Sequence, residues 1–231
     1  MKQIAIVHYN TPELTEALIL SIRKVGCQWP VTVLDNSDAR PFTRRIKGVK
    51  VLNNRKQQLV NFDEELAKYP DKCWDMAKKS NYGSVKHMMS VQYLWGVLPD
   101  GFILVESDVL ITKPFDFLWD EQYAACGKVQ WFRGRRDERD RLLPWLCYMN
   151  VPLLVANGAK YYDPQRSWAL QPGGKSNRNN WYDTGASFLE DIKTHKPKSS
   201  GIKLSRELYL SLMDHYGSGS WRRDKTRRSD G

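Results

Sequence analysis

The segment 102–111 reads Phe-Ile-Leu-Val-Glu-Ser-Asp-Val-Leu-Ile, an apolar run that two acids interrupt. The residues before the acids predict a buried strand, so the acids lie at its carboxyl end. Because side chains two residues apart in an extended chain point the same way, Glu106 and Asp108 can share a hard cation. Burying both carboxylates unpaired would be costly, which predicts a cation or a basic partner beside them. The alternative is a turn whose acids cap the next segment.

The hundred residues before this segment alternate between predicted strands and helices. The apolar stretches that predict strands are Gln3–His8, Val31–Leu34 and Val49–Leu52. Helical spacing of apolar residues predicts helices that start after Thr11, near Phe62–Lys68 and over Ser84–Leu98. This alternation predicts a single α/β domain with a Rossmann-like, mostly parallel sheet and flanking helices. Right-handed crossovers would bring the carboxyl ends of the strands to one edge, where such sheets bind ligands.

The second half of the chain is less regular. Val151–Ala156 is predicted to be a strand, Asp183–Ile192 begins another apolar segment, and Leu204–Met213 fits either a short strand or a helix. From residue 217 onward Gly, Ser and Arg dominate, and we expect the basic tail over residues 222–231 to be disordered.

The composition excludes several classes of protein. The chain has 231 residues, 41% of them hydrophobic, and a formal net charge of +10. This hydrophobic content excludes a wholly disordered chain, and no apolar run approaches the roughly 18 residues of a transmembrane helix. The basic excess predicts a polyanionic partner: nucleic acid, a phosphorylated small molecule or an anionic membrane. The cysteines have neither zinc-site nor redox-pair spacing, which favours a reducing, cytoplasmic location.

A second candidate element lies near the C-terminus, where the sequence reads His215-Tyr216-Gly217-Ser218-Gly219-Ser220-Trp221. A neutral histidine before a Gly/Ser loop can complete a metal site from far along the chain. The glycines would let backbone N–H groups approach phosphate oxygens. Carboxylates, one imidazole and diphosphate oxygens together would suit Mn²⁺ or Mg²⁺.

These features resemble the GT-A fold glycosyltransferases, which carry a DxD motif at the end of a strand that follows the nucleotide-binding half. Glu106-Ser107-Asp108 occupies that place, with Glu for the first acid. The resemblance implies that Asp108, His215 and Glu106 hold the metal, with Glu106 and Ser107 beside the nucleotide. It also implies that Gly217 and Trp221 belong to a late loop over the diphosphate. The resemblance covers residues 3–111 well and residues 183–221 loosely.

The start of the chain is similar to family-2-type enzymes of this fold. That similarity implies that Tyr9, Asn10 and Thr11 cradle the nucleoside and that Asp35 binds the base or ribose. Under this interpretation residues 1–111 form a nucleotide-binding half, and residues 112–221 bind the acceptor and complete the metal site.

The start of the helix before the acidic strand is a further candidate for nucleotide binding. Tyr82, Gly83 and Ser84 lie at a predicted helix N-terminus, where backbone N–H groups favour phosphate or nucleoside oxygens. His87 lies one turn further on and could face the same edge, or it could be an ordinary surface histidine.

The segment Trp181-Tyr182-Asp183-Thr184-Gly185 is the candidate acceptor and catalytic region. Aromatic faces suit sugar rings, and a nearby acid can orient or deprotonate a hydroxyl. We predict Asp183 as the base that an inverting enzyme needs, with Glu190 and Asp191 as rivals. Asp183 could instead be a simple helix N-cap.

Together these features predict a metal-dependent glycosyltransferase that uses a nucleoside diphosphate sugar, with UDP favoured, and a hydroxyl acceptor. A nucleotidyltransferase of related fold is the first rival, but Tyr9-Asn10-Thr11-Pro12 stands where its Gly-rich phosphate loop would be. A nucleic-acid-binding protein is the second, although the basic residues are scattered rather than interleaved with aromatics. A sugar-nucleotide binder without catalysis is the third. The basic tail could also contact an anionic membrane at its inner face.

Overall fold

The computed structural model describes residues 1–68, 82–130, 141–166, 184–195 and 204–216. The strands are β1 Ile4–His8, β2 Val31–Asp35, β3 Val49–Asn53, β4 Phe102–Glu106, β5 Val109–Ile111, β6 Ala125–Gln130, β7 Arg141–Met149 and β8 Met213–His215. The α-helices are α1 Pro12–Lys24, α2 Phe62–Ala67, α3 Tyr82–Val97, α4 Val151–Ala156, α5 Ala186–His195 and α6 Arg206–Ser211. None of these helices combines the length and the apolar character needed to span a lipid bilayer.

The main sheet has six strands in the order β3-β2-β1-β4-β7-β6. β3, β2, β1 and β4 run parallel, whereas β7 is antiparallel to β4, and β6 is antiparallel to β7. This confirms the predicted α/β class with a mostly parallel sheet. The last two strands come from the less regular half of the chain, so the second half completes the sheet that the first half begins.

Apolar side chains cover both faces of β1, β2 and β4, which explains why these three parallel strands lack a polar face. Alternate residues of β4 face opposite sides: Phe102 and Leu104 pack in the core under α3 and α5, and Ile103 and Val105 in the core under α1. The resulting three layers leave the carboxyl ends of the parallel strands as the open edge.

One predicted strand is wrong. Val151–Ala156 is helix α4, because the Asn150 side chain accepts a hydrogen bond from the Leu153 N–H and Pro152 occupies the first turn. Both features are typical of a helix start. The ambiguous segment after Leu204 contains helix α6, which β8 follows.

A second, two-stranded ladder pairs β5 with β8 in antiparallel register. Val109 is opposite His215, and the Tyr216 N–H donates to the Asp108 carbonyl at 2.9 Å. This ladder brings the C-terminal part of the described chain to the turn that follows β4.

A chain of buried polar side chains connects the ends of β3 and β2 to α3. The Asn54 amide donates to the Asn36 side chain at 2.8 Å, and the Asn36 amide donates to the Ser90 hydroxyl at 2.8 Å. That hydroxyl donates in turn to the Lys86 carbonyl at 2.5 Å. Because each of these groups is satisfied within the chain, burial costs little and the sheet edge is fixed relative to α3.

His8, at the end of β1, is fully buried in its neutral form. Its Nδ1 accepts from the Thr15 hydroxyl at 2.8 Å, and its Nε2 lies 3.3 Å from the Arg40 carbonyl, to which it donates. Burial lowers the pKa of His8, although the Asp35 carboxylate acts in the opposite direction. The folded protein therefore protonates His8 at a lower pH than the unfolded chain does.

We expect the free energy of unfolding to fall as the pH drops below about 6.5, the ordinary histidine pKa, because unfolded His8 then binds a proton before folded His8 does. The loss should end once the pH passes below the lowered folded-state pKa. Urea unfolding followed by tryptophan fluorescence over this pH range tests the prediction. His8→Gln should show a shallower pH dependence, and parallel curves for the two proteins would contradict it.

Candidate functional site

Three side chains that could ligate a metal ion meet at the open edge of the sheet. Glu106 ends β4, Asp108 follows in the turn to β5, and His215 ends β8. The His215 Nε2 lies 3.6 Å from Asp108 Oδ1 and 3.8 Å from Glu106 Oε2, and one potential ligand atom from each residue lies within 4.8 Å of the others. The cluster combines the acidic strand end and the late histidine, which sequence reasoning had placed in one site.

The spacing of the three atoms suits a divalent cation. Ligands about 2.1 Å from an octahedral ion lie about 3.0 Å apart at right angles and about 4.2 Å apart when opposite. The observed separations fall between these values and are too long for hydrogen bonds. The Asp108 side chain is only 4% exposed, whereas those of Glu106 and His215 are 23% and 19% exposed, so a bound ion would still face solvent or substrate.

The charges around His215 favour a cation at this position. Burial alone would lower the pKa of His215, but the Glu106 and Asp108 carboxylates together raise it above its ordinary value. The two carboxylates thus attract positive charge, and a metal ion would compete with the proton for the ring nitrogen.

Trp145, on β7, fixes the orientation of the His215 ring. The two rings are stacked, with centroids 4.0 Å apart and planes inclined by 16°. Trp145 directly precedes Leu146, which is opposite Val105 in the antiparallel ladder between β4 and β7, and this places it beside Glu106. No sequence signal pointed to Trp145, because β7 itself was not predicted.

His87, on α3, lies on the other side of Glu106. Its Nε2 is 3.9 Å from Glu106 Oε1, and the residue is 6% exposed. Helix α3 begins at Tyr82 rather than at Ser84, so Tyr82, Gly83 and Ser84 form its first turn. Ser107, between the two acids, is 2% exposed.

The turn after β1 is held by hydrogen bonds to the segment that follows β2. Asn10 has a φ of +56°. Its side-chain carbonyl accepts from the Ala39 and Arg40 N–H groups at 3.0 and 2.9 Å. The Tyr9 hydroxyl and the Asn10 amide both donate to the Asp38 carboxylate, at 2.6 and 2.5 Å. Tyr9 and Asn10 therefore lie with Asp38 at the open edge, whereas Thr11 is the N-cap residue of α1 and donates only to the Tyr9 carbonyl at 3.4 Å.

Asp35 is 2% exposed, and both of its carboxylate oxygens accept internal hydrogen bonds. The Ser37 N–H donates to one oxygen at 2.9 Å and the Phe42 N–H to the other at 3.0 Å. Asp35 thus holds the loop that carries Asp38. Asp38, which sequence reasoning missed, is the exposed acid of this loop.

Lys86 is a second residue that sequence reasoning missed. It is 6% exposed, and its ammonium lies 5.1 Å from the Tyr9 ring centroid and 5.3 Å from that of Phe62. Burial alone would raise the pKa of Asp38, but hydrogen bonds from Tyr9 and Asn10 and the Lys86 charge lower it. A buried cation at the ligand-binding edge of the sheet is suited to an anionic ligand.

The candidate catalytic region is described only in part. Asp183, Gly217 and Trp221 lie outside the described residues. Gly185 has a φ of +81°, and a Cβ there would collide with the Leu142 carbonyl, so glycine is required beside β7. Of the rival acids, Asp191 accepts two hydrogen bonds from the Arg166 guanidinium, at 2.7 and 2.9 Å, which engages both oxygens in an ion pair. Glu190 is half-buried on α5.

This mostly parallel six-stranded sheet with flanking helices matches the GT-A glycosyltransferase fold. The chain is similar to the crystal structure of the galactosyltransferase LgtC in complex with donor and acceptor sugar analogs, with a TM-score of 0.54 and 12% identity. The alignment covers 98% of this chain and 92% of that chain. An active-site mutant of LgtC aligns with the same TM-score and coverage at 11% identity. No protein-family model and no curated protein sequence matches the chain.

We expect Trp145→Ala to weaken Mn²⁺ binding about 2- to 10-fold, because loss of an aromatic stack worth roughly 0.5–1.5 kcal/mol frees the His215 ring. Trp145→Phe retains a stacking partner and should bind Mn²⁺ nearly as the unaltered protein does. Electron paramagnetic resonance of free Mn²⁺ measures the affinity directly. Equal affinities for Trp145→Ala and Trp145→Phe, at equal thermal stability without metal, would show that the stack does not position the ligand.

Proposed function

We propose that this protein is a metal-dependent glycosyltransferase that takes its donor from a nucleoside diphosphate sugar, most readily a UDP-sugar. The observation that carries the proposal is the convergence of Glu106, Asp108 and His215 at the carboxyl edge of a GT-A sheet. Ligands of open α/β sheets bind at this edge. A hydroxyl-bearing acceptor would approach from the side formed by the second half of the chain.

Asp108, His215 and Glu106 fit a divalent cation, and one imidazole nitrogen beside two carboxylates favours Mn²⁺ over Mg²⁺, which prefers oxygen ligands. Such an ion would supply electrostatic stabilisation of the negative charge that develops on the departing diphosphate. His87, beside Glu106, helps to orient that carboxylate. Trp145 restricts the His215 ring to the orientation that faces the cluster.

The nucleoside would lie along the turn after β1, where Tyr9, Asn10 and Asp38 form a hydrogen-bonded group. The Asp38 carboxylate is exposed and can accept from ribose hydroxyls. The Lys86 ammonium, buried beside Tyr9, would attract the diphosphate. Gly217 and Trp221, in the segment that follows Tyr216 in the sequence, would also contact the diphosphate. The backbone of Ser107, between the two acids, would contact the nucleotide.

Asp183 remains the proposed base for the acceptor hydroxyl. The ion pair between Asp191 and Arg166 argues against Asp191 as that base, because an acid that holds a guanidinium at both oxygens is poorly placed to accept a substrate proton. Asp183 lies two residues before Gly185, whose carbonyl accepts from the Leu142 N–H of β7 at 3.3 Å.

Calorimetric titration with UDP and GDP, with and without Mn²⁺, tests the proposal. We expect Mn²⁺-dependent binding of UDP, and Asp108→Asn should abolish the metal-dependent part because it removes the most buried anionic ligand. Asp214→Asn is the matched control, since Asp214 precedes His215 but is exposed, and it should bind UDP as the unaltered protein does. UDP-sugars that bind are then screened for metal-dependent hydrolysis to UDP.

Failure of both nucleotides to bind in the presence of Mn²⁺ would exclude the glycosyltransferase function. Release of pyrophosphate from a nucleoside triphosphate would instead identify a nucleotidyltransferase.

Lys86→Met should weaken UDP binding by roughly 10- to 100-fold, as expected for loss of charge-assisted hydrogen bonds worth about 1.5–3 kcal/mol. Mn²⁺ binding in the absence of nucleotide should not change, because Lys86 is not part of the metal cluster. Lys113→Met, which removes an exposed charge, serves as the control. Unchanged UDP affinity in Lys86→Met would assign the lysine a purely structural role.

A further inference from the structure

A strongly basic surface lies along β3, the strand at one end of the main sheet. Residues 41–61 contain six basic side chains and no acid. All six are exposed: Arg44, Arg45, Lys47, Lys50, Arg55 and Lys56. They occur before, within and after the strand, so the positive charge follows the strand along its length. We call β3 together with these six residues the basic edge.

Most of this charge is not neutralised by the neighbouring helix. Arg44 forms an ion pair with Glu16 of α1 at 3.0 Å. Within the described part of the chain, the other five basic side chains have no ion pair with an acid. An anionic partner would therefore meet an attractive field rather than an internally compensated surface.

The outer side of β3 offers backbone hydrogen-bonding groups. Among the described residues no strand pairs with this side, because β3 is the terminal strand of the sheet. The Gly48 carbonyl accepts from the Val31 N–H, and the Asn54 N–H donates to the Asp35 carbonyl, so even-numbered residues face β2. By alternation, the N–H and C=O groups of Val51 and Asn53 point outward.

An open groove of about 520 Å³ runs beside the strand. Its floor is apolar, formed by Phe42, Ile46, Val49 and Val51, and Arg44, Arg45 and Lys47 form its rim. Val51 is 37% exposed although it is a β-branched residue in a strand. The groove would therefore bury alternate apolar side chains of a segment that extends along β3.

We infer that the basic edge binds an extended, acidic peptide segment of a partner protein by addition of a strand to β3. Outward N–H and C=O groups would pair with the peptide backbone, alternate apolar side chains would cover Val49 and Val51, and acids would face Lys50 and the flanking basic residues. This interaction lies apart from the metal cluster and does not depend on the proposed enzymatic function.

Three other occupants fit the surface less well. A second copy of the chain would bring the two Lys50 side chains and their basic neighbours together, which is repulsive. A lipid surface would cover the outward backbone groups without pairing them, at a cost in desolvation. Single-stranded nucleic acid binds by stacking on exposed aromatic rings, and Phe42, the only aromatic residue of segment 41–61, is buried.

The test uses the full chain and a fluorescein-labelled peptide of alternating Glu and Val. A peptide of about nine residues, at about 3.3 Å per residue, is longer than the five-residue strand β3 and can pair along its whole length. Fluorescence anisotropy should show saturable binding that weakens at about 1 M salt, where the screening length is about 3 Å. Replacing the central Val of the peptide by Pro should weaken binding about tenfold or more, because it removes a backbone donor without changing the charge.

Two variants of the protein separate charge from strand pairing. Lys47→Glu combined with Lys50→Glu should weaken peptide binding about tenfold or more, whereas Lys113→Glu, a charge reversal elsewhere on the surface, should not. Val51→Pro removes an outward N–H but no hydrogen bond to β2, and it should abolish binding with the net charge unchanged. Thermal melting and UDP titration of Val51→Pro establish that the fold is intact.

Equal binding of the proline-containing peptide, or full binding by folded Val51→Pro, would overturn the inference, because the attraction would then be charge alone. Binding to vesicles of phosphatidylserine without binding to the peptide would identify a membrane surface instead. A dimer that Val51→Pro dissociates in sedimentation would identify a second copy of the chain as the occupant.

Discussion

The short ladder between β5 and β8 is the constraint on which the site depends. Glu106 and Asp108 are fixed by β4 and the turn after it, but the imidazole comes from a strand near the end of the described chain. The pairing of Val109 with His215, together with the hydrogen bond from the Tyr216 N–H to the Asp108 carbonyl, sets the register. A slip of one residue would turn His215 to the opposite side of the ladder and bring the exposed Asp214 toward the two acids. Three like charges would then meet where the cluster now holds two acids and one base.

The same cluster explains why the neighbouring elements are arranged as they are. Two carboxylates at a strand end repel each other unless positive charge is supplied, and the same negative charge raises the pKa of His215 between them. The ring then has to be held in one orientation, which the stack on Trp145 provides from β7. The antiparallel half of the sheet thus contributes Trp145 to the site. The pairing of β7 with β4 determines where the Trp145 ring lies relative to Glu106.

The sequence predicts the parallel half of the fold well, because strands buried on both faces are short apolar runs and the helices between them have clear periodicity. It predicts Glu106, Asp108 and His215 as one cluster from their ligand chemistry and from the resemblance, since no spacing rule connects residues so far apart in the chain. The strands β6 and β7 were missed because Pro144 interrupts the apolar pattern of β7, at a place where the pairing with β6 is irregular. Lys86 and Asp38 were missed for a different reason: in sequence each is one charged residue among many, and only the tertiary contacts show that one is buried and the other lies beside Tyr9.

The basic edge lies on the same six-stranded sheet as Glu106, whose cluster with Asp108 and His215 is acidic where the edge is basic. Asn54, directly after β3, is joined through Asn36 and Ser90 to the backbone of Lys86, and all three of these polar side chains are buried and satisfied. Such a chain of hydrogen bonds has one favourable arrangement, so it fixes the distance between the end of β3 and the helix that carries Lys86. A segment added to the outer side of β3 pairs with Val51 and Asn53, which face away from this chain. The edge can therefore accept a partner without a change in the buried groups that position Lys86.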